Sequence, residues 1–76
     1  MPTINFLESV LSVVEDHEYI EADLMMINFF SNESQETLGL RLFYAIRKAH
    51  EQIKYGTYVD MIVSLETAID MLRVPC

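Results

Sequence analysis

The sequence has few of the residues that interrupt helices or cross-link small proteins. Its 76 residues include two Gly, two Pro, one Cys and no Trp. A single thiol, Cys76, excludes a disulfide framework within the chain and a zinc site built from several Cys. Packing alone then has to stabilise the fold, and a cytoplasmic location is expected. With so few helix breakers, most of the chain can be helical.

Long apolar stretches are also missing. The densest run, Leu24–Phe30, covers seven residues, whereas a membrane-spanning helix needs about 20. We therefore do not expect a membrane partner. Residues 1–15 carry no Lys or Arg, so we expect no secretory signal either. Because 51% of the chain is apolar, a disordered acidic tail is excluded and one folded domain over residues 1–76 is predicted.

Positive charge is absent from the first half of the chain. Residues 1–40 hold eight acidic residues and no Lys or Arg, and the formal net charge is −7. The cations cluster instead at Arg41, Arg47, Lys48 and Lys54. This basic patch either binds phosphate or an acidic partner, or it pairs with the acidic half or simply faces solvent on the outer side of the third segment. Because DNA-binding proteins usually present a net basic face, we do not expect nucleic acid as a partner.

Apolar residues recur at helical spacing in four segments, which predicts an all-α bundle of three or four helices. The segments cover about residues 4–16, 20–30, 34–54 and 57–73. Thr3 is the expected N-cap of the first segment. The polar stretch from Ser31 to Gln35 is expected to form a loop that runs into the start of the third segment.

Threonine and glycine residues mark the other expected helix ends. Thr57 is the expected N-cap of the last segment, where Asp60 completes a variant of the capping box. Gly39, inside the third segment, is expected to destabilise the helix by about 1 kcal/mol relative to Ala. We expect it to be there because it permits another backbone segment to approach closely. Gly56 is expected to end that segment as its C′ residue.

The second segment is apolar on nearly all sides, which is typical of a helix that is buried or lies between chains. So small a chain has little interior for its large apolar side chains, and a homodimer is expected. The predicted interaction surface consists of Leu24, Met25, Met26, Ile27, Phe29 and Phe30. Substitution of Met26 and Phe30 by Asp is expected to abolish dimerisation while leaving the monomer folded.

The titratable residues do not form a catalytic or metal-binding pattern. Residues 15–18 are consecutive and point in different directions around a helix, so a solvated acidic junction is the simpler interpretation. His50 is expected at the surface. Glu66 and Asp70, four residues apart, predict a nearby cation such as Arg73 in a structural salt bridge. We expect no catalytic residue, cofactor or metal, and a protein that is not an enzyme.

A short motif supplies a resemblance. The stretch Gln35-Glu36-Thr37-Leu38-Gly39 is followed, after 25 residues, by Leu65-Glu66. Over about residues 29–70 the pattern resembles the enterobacterial family of biofilm-development and two-component connector proteins that includes YmgB (also called AriR) and YcgZ. The positions carried over concern packing only, and they are Leu38, Gly39, Leu42, Ile46, Met61, Ile62 and Leu65.

The resemblance implies an all-helical, dimerising regulator, similar to Hha-like proteins, that modulates biofilm formation, acid resistance and phosphorelay signalling. The expected partners are a second copy and a bacterial signalling or transcription protein. Two alternatives stay open. One is an acidic inhibitor, encoded by a phage or plasmid, whose residues 8–36 occupy a basic site on a host protein. The other is a nucleic-acid-associated regulator that uses the basic patch.

Overall fold

Helices account for all the regular secondary structure in the part of the chain that is described. The computed structural model describes residues 2–33 and 35–73, and no strand occurs among them, which confirms the all-α prediction. In chain order the helices are α1 (Pro2–Glu15), α2 (Tyr19–Asn32), α3 (Gln35–Leu38), α4 (Leu40–Tyr55) and α5 (Tyr58–Arg73).

The four long helices enclose one core. α5 packs against α4 and α1, and α2 packs against α1 and α4. The buried residues are all apolar, and within the described ranges no polar or charged side chain is buried. They are Leu7, Val10, Val14, Ala22, Met26, Phe29, Ile46, Ala49, Ile53, Met61, Leu65, Ala68 and Ile69. The stripes predicted for the first, third and fourth segments supply most of this set.

Aromatic rings join the first two helices and the fourth. Phe6 on α1 stacks on Phe29 of α2, with ring centroids 4.6 Å apart and an interplanar angle of 12°. Phe30 meets Phe43 of α4 edge to face at 5.6 Å. Such pairs add about 0.5–1.5 kcal/mol each beyond the burial of their area. They fix the side of α2 that faces inward.

The helix ends differ in how well the sequence predicted them. Thr57 and Asp60 form the expected capping box, since the Asp60 amide donates to Thr57 Oγ1 at 3.2 Å and the Thr57 amide donates to Asp60 Oδ2 at 3.5 Å. Thr3 is not an N-cap, because α1 already begins at Pro2. Proline suits a first helical position, where its missing N–H leaves no hydrogen bond unmade.

Residues expected in the loop before the third segment instead extend α2 to Asn32. The Ser31 hydroxyl and the Asn32 amide group both donate to the carbonyl of Asn28, at 2.7 Å and 3.0 Å. The expectation of a loop beginning at Ser31 is therefore wrong. Ser34 of the expected helix start lies outside the described residues.

Gly39 divides the third predicted segment into α3 and α4. Its φ is +86° and its ψ is 152°, a region that is essentially restricted to glycine. The expected close approach is wrong, since a Cβ built at Gly39 meets nothing within 4 Å. Glycine is needed there for its backbone angles, which break the helix and add a fifth, one-turn element to the bundle.

Gly56 follows the end of α4, as predicted, although it is not left-handed: its φ is −92°. Its amide donates to the Gln52 carbonyl at 2.7 Å. A Cβ here meets that same carbonyl oxygen at 2.9 Å.

The turn between α1 and α2 is a Schellman motif centred on His17. The His17 amide donates to the Val14 carbonyl at 2.9 Å, and the Glu18 amide donates to the Val13 carbonyl at 3.1 Å. His17 has a φ of 62°, the left-handed conformation that this motif requires. The sequence did not predict the motif, because its central position usually holds Gly or Asn.

Candidate functional site

The predicted interaction run is divided by α2 into an inward and an outward face. Met26 has no solvent exposure and Phe29 is buried, while Met25 and Phe30 are half-buried. These four side chains pack within the chain's own core. The burial of Met26 contradicts the expectation that Met26→Asp leaves the monomer folded, because an unpaired carboxylate in an apolar core costs several kcal/mol.

The outward face of α2 carries a stripe of large aliphatic side chains. Ile20, Leu24 and Ile27 are 81%, 56% and 49% exposed. Their spacing of four and then three residues places them on one side of the helix. This α2 stripe lies opposite Ala22, Met26 and Phe29, which occupy the buried side. Single exposed apolar residues are ordinary, but a continuous row marks a contact surface.

Two shallow grooves separate the α2 stripe from α4. The first, about 540 Å³, is lined by Ile27, Phe30, Ser31, Arg47, His50, Glu51, Lys54 and Tyr55. The second, about 380 Å³, is lined by Tyr19, Ile20, Asp23, Ile53, Lys54 and Tyr55. Lys54 and Tyr55 border both grooves, so α4 extends the stripe sideways with one cation and one ring that is 82% exposed.

The two ends of the α2 stripe differ in charge. At the Ile20 end, Glu18 and Glu21 line a neighbouring groove of about 700 Å³. Glu15, the last residue of α1, and Asp16, in the turn that follows, are exposed. We call Glu15, Asp16, Glu18 and Glu21 the acidic end. None of them forms an ion pair within residues 2–33 and 35–73.

At the Ile27 end of the stripe the neighbouring charges are mostly positive. Arg47 and Lys54 line the groove beside Ile27, against one acid, Glu51. Lys54 also reaches the groove beside Ile20, so the side chain that distinguishes the Ile27 end is Arg47.

The basic patch predicted from the sequence lies on the outer side of α4. Arg41, Arg47, Lys48 and Lys54 are all exposed. Arg47 lies over the Phe43 ring, 5.8 Å from its centroid. Neither ion pair found in the described part of the chain includes any of these four cations. Pairing with the acidic half is therefore wrong for the described residues, whereas the exposure of all four cations fits the alternative in which they face solvent.

His50 is not the surface residue that the sequence suggested. Its Nε2 lies 2.6 Å from Oδ1 of Asp23, and its side chain is only 16% exposed. The imidazole also stacks on Phe30, with centroids 5.9 Å apart. Since an ionised carboxylate only accepts hydrogen bonds, Nε2 is the donor. The pair joins α2 to α4, with His50 lining the first groove and Asp23 the second.

Arg73 lies beside Glu66 and Asp70, the two acids for which a nearby cation was predicted, but its ion pair is with Glu8. Its Nη2 donates to Oε2 of Glu8 on α1 at 2.6 Å. Glu66 and Asp70 line the same recess of about 230 Å³, and neither makes an ion pair within the described ranges. Arg73 is therefore the predicted neighbouring cation, but its salt bridge joins α5 to α1 and does not involve Glu66 or Asp70.

The acidic junction behaves as a helix turn. His17 Nδ1 lies 2.6 Å from the Tyr19 hydroxyl, and its ring is 5.1 Å from that of Tyr58. The described residues include no group of three His, Cys, Asp or Glu arranged to hold a metal ion. Nor does any helix in them have the length and hydropathy needed to cross a membrane.

One larger groove, about 800 Å³, lies between the start of α4 and the end of α5, where Leu40 and Met71 are among the lining residues. Leu40 is the one large apolar side chain in its lining that is more than half exposed. The α2 stripe offers three aliphatic side chains in a row, and it is the stronger candidate.

Two members of the candidate site, Ile20 and Tyr55, were missed by the predicted surface. The signal for Ile20 was present, since Ile20, Leu24 and Ile27 have helical spacing. The set Ala22, Met26 and Phe29 has the same spacing, so periodicity alone does not decide which row faces the core. Tyr55 reaches the site only through the packing of α4 on α2.

Comparison with known proteins adds no relative: no family model, curated protein or solved structure matches the sequence.

Proposed function

We propose that this protein is a small, non-enzymatic bacterial regulator that acts by binding other proteins through the α2 stripe. The observation that carries the proposal is the exposure of Ile20, Leu24 and Ile27 on one face of a helix whose opposite face is fully packed. Rows at this spacing are how amphipathic helices anchor to a protein groove or to another helix.

The energetics favour an occupied stripe. Full burial of one large aliphatic side chain contributes about 1.5–3 kcal/mol. Three neighbouring side chains on one helix, together with the exposed Tyr55 ring, form the kind of apolar centre that anchors protein interfaces. The charged residues around this centre supply the polar rim that such interfaces have.

The non-enzymatic part of the proposal is supported by what the closest titratable groups do. Asp23 with His50 and Glu8 with Arg73 are pairs between neighbouring helices. Each pair links two packed helices, and this geometry suits stabilisation of the bundle.

The resemblance to the connector family supports a role in bacterial signalling and biofilm control, in the cytoplasm. The positions that carry it hold packing roles here: Ile46, Met61 and Leu65 are buried, and Leu38, Leu42 and Ile62 pack against the core. Gly39 occupies the break before α4. These positions support a common bundle, while the α2 stripe supplies the binding surface.

Capture of partners by matched variants tests the proposal. Tagged wild-type protein, Leu24→Lys and Val63→Lys are incubated with nuclease-treated bacterial lysate at low and high salt, and bound proteins are identified by mass spectrometry. Val63 is the control because it is 55% exposed on α5, against 56% for Leu24. We expect a stoichiometric partner, the chain itself included, that survives high salt and is lost only with Leu24→Lys.

Two results would contradict the proposal. Equal capture by wild type and Leu24→Lys shows that the stripe is not the binding surface. Partners that all dissociate at high salt favour the acidic-inhibitor or nucleic-acid alternatives, because screening weakens exposed charge contacts far more than apolar ones.

A further inference from the structure

Arg47 and Lys54 border the α2 stripe along its α4 side. Both line the groove beside Ile27, and Lys54 also lines the groove beside Ile20. The two cations are seven residues apart on α4, which is about 10.5 Å along a helix, and Ile20 and Ile27 are separated by the same rise on α2. A pair of cations therefore runs beside the apolar row over its full length.

Of the five grooves identified on the described residues, the one beside Ile27 alone has more cations than acids. Its lining holds Arg47 and Lys54 against Glu51. The groove beside Ile20 and the large groove between α4 and α5 each hold one cation and one acid, and the remaining two hold more acids than cations. On a chain with a net charge of −7, this local excess marks the side of the stripe at which a carboxylate is favoured.

Both cations are available to bind an anion. Neither takes part in an ion pair within residues 2–33 and 35–73, although Glu51 is four residues from Arg47 and three from Lys54 on the same helix. The Arg47 guanidinium lies over the Phe43 ring. A guanidinium that stacks on a ring keeps its in-plane N–H donors for a carboxylate.

From this we propose that the partner of the α2 stripe is an amphipathic helix whose apolar row is flanked on one side by carboxylates two helical turns apart. This inference rests on the proposed function and states the chemistry of its partner. The partner's aliphatic side chains cover the stripe, and its carboxylates lie beside Arg47 and Lys54. Glu18 and Glu21 line a groove on the α1 side of α2, so acidic residues are disfavoured on the partner's opposite edge. Charge pairs at a rim select the partner and fix its position more than they add affinity.

Two hydrocarbon-stapled helical peptides test the charge pattern. Both carry three leucines at the spacing of the α2 stripe. The first has two Glu seven residues apart beside that row, and the second has Gln at the same positions. Fluorescence anisotropy at about 150 mM salt gives the dissociation constants. Because exposed ion pairs contribute little singly, we expect the Glu peptide to bind about three to ten times more tightly than the Gln peptide. Equal affinities overturn the inference.

Matched variants identify the cations responsible. Arg47→Gln with Lys54→Gln should remove the preference for the Glu peptide and leave binding of the Gln peptide unchanged. Arg41→Gln with Lys48→Gln changes the net charge equally, outside the two grooves that border the stripe, and should keep the preference. Glu51→Gln should strengthen binding of the Glu peptide, because it removes the acid that lines the groove. Loss of the preference in both double variants indicates the general field of the chain and overturns the inference.

Failure of this inference is distinguishable from failure of the proposed function. If both peptides bind equally and Leu24→Lys abolishes binding of both, the stripe is a binding surface without a charge preference, and the inference alone fails. If neither peptide binds at about 1 mM, the inference also fails, and capture from lysate through Leu24 decides the proposed function separately. If Leu24→Lys binds the Glu peptide as tightly as wild type does, the peptide is not held by the stripe and both proposals fail.

Discussion

Nε2 of His50 on α4 lies 2.6 Å from Oδ1 of Asp23 on α2. This hydrogen bond connects the two helices and is largely shielded from water. The Phe30 ring covers one side of the imidazole. A hydrogen bond to a charged group contributes more when it is shielded, about 1.5–3 kcal/mol. The pair therefore helps to hold α2, and with it the α2 stripe, against α4.

A double-mutant cycle measures this connection. Asp23→Asn and His50→Gln are each expected to lower the free energy of unfolding by about 1–3 kcal/mol. The double variant is expected to lose less than the sum of the two, with a coupling of at least about 0.5 kcal/mol. Urea unfolding followed by circular dichroism provides the values. Strict additivity contradicts a direct interaction between the two side chains.

The capping box at the start of α5 predicts a specific loss of stability. Thr57→Ala removes the oxygen that accepts from the Asp60 amide and should cost about 1 kcal/mol. Thr67→Ala is the control on the same helix, because the Thr67 hydroxyl donates to the Val63 carbonyl inside the helix, and Ala favours helix interiors. An equal loss from both substitutions contradicts the cap.

Gly39 is predicted to be intolerant of any side chain although space surrounds it. Its φ of +86° with ψ near 152° costs a non-glycine residue about 1–3 kcal/mol. Gly39→Ala should therefore lower the unfolding free energy by that amount. Leu40→Ala, at the next and exposed position, should change it by less than about 1 kcal/mol. If Gly39→Ala stabilises the protein, α3 and α4 form one continuous helix.

The two faces of α2 predict opposite results for the same substitution. Met26→Asp places a carboxylate in the core and should cost at least about 3 kcal/mol, enough to unfold a domain of this size. Leu24→Asp changes an exposed position and should leave the helical circular dichroism unchanged. A folded Met26→Asp variant contradicts the inward face assigned to α2.

Much of the bundle was predictable from the sequence because three of its segments have a single apolar stripe. In the last of them, for example, Met61, Leu65 and Ile69 recur on one side and are buried. The capping box was predictable too, since Thr57 and Asp60 have the required spacing. These features depend on neighbours along the chain.

What the sequence did not decide depends on tertiary packing. α2 has two rows of apolar residues with equal spacing, and only its contacts with Phe6 and α4 show that Met26 faces inward and Leu24 outward. The break at Gly39 and the left-handed His17 arise from backbone angles that single residues adopt in context. The His50–Asp23 pair joins residues 27 positions apart, which no local pattern reveals.

A photo-crosslinking side chain at position 24 tests directly whether the α2 stripe is the binding surface. p-Benzoyl-phenylalanine is placed at Leu24 or, as the matched control, at Val63, and the protein is irradiated in living bacterial cells. We expect a discrete higher-mass adduct, with a second copy or another protein, from position 24 and none from position 63. Adducts that are absent at position 24, or equally abundant at both positions, contradict the assignment of the α2 stripe as the binding surface.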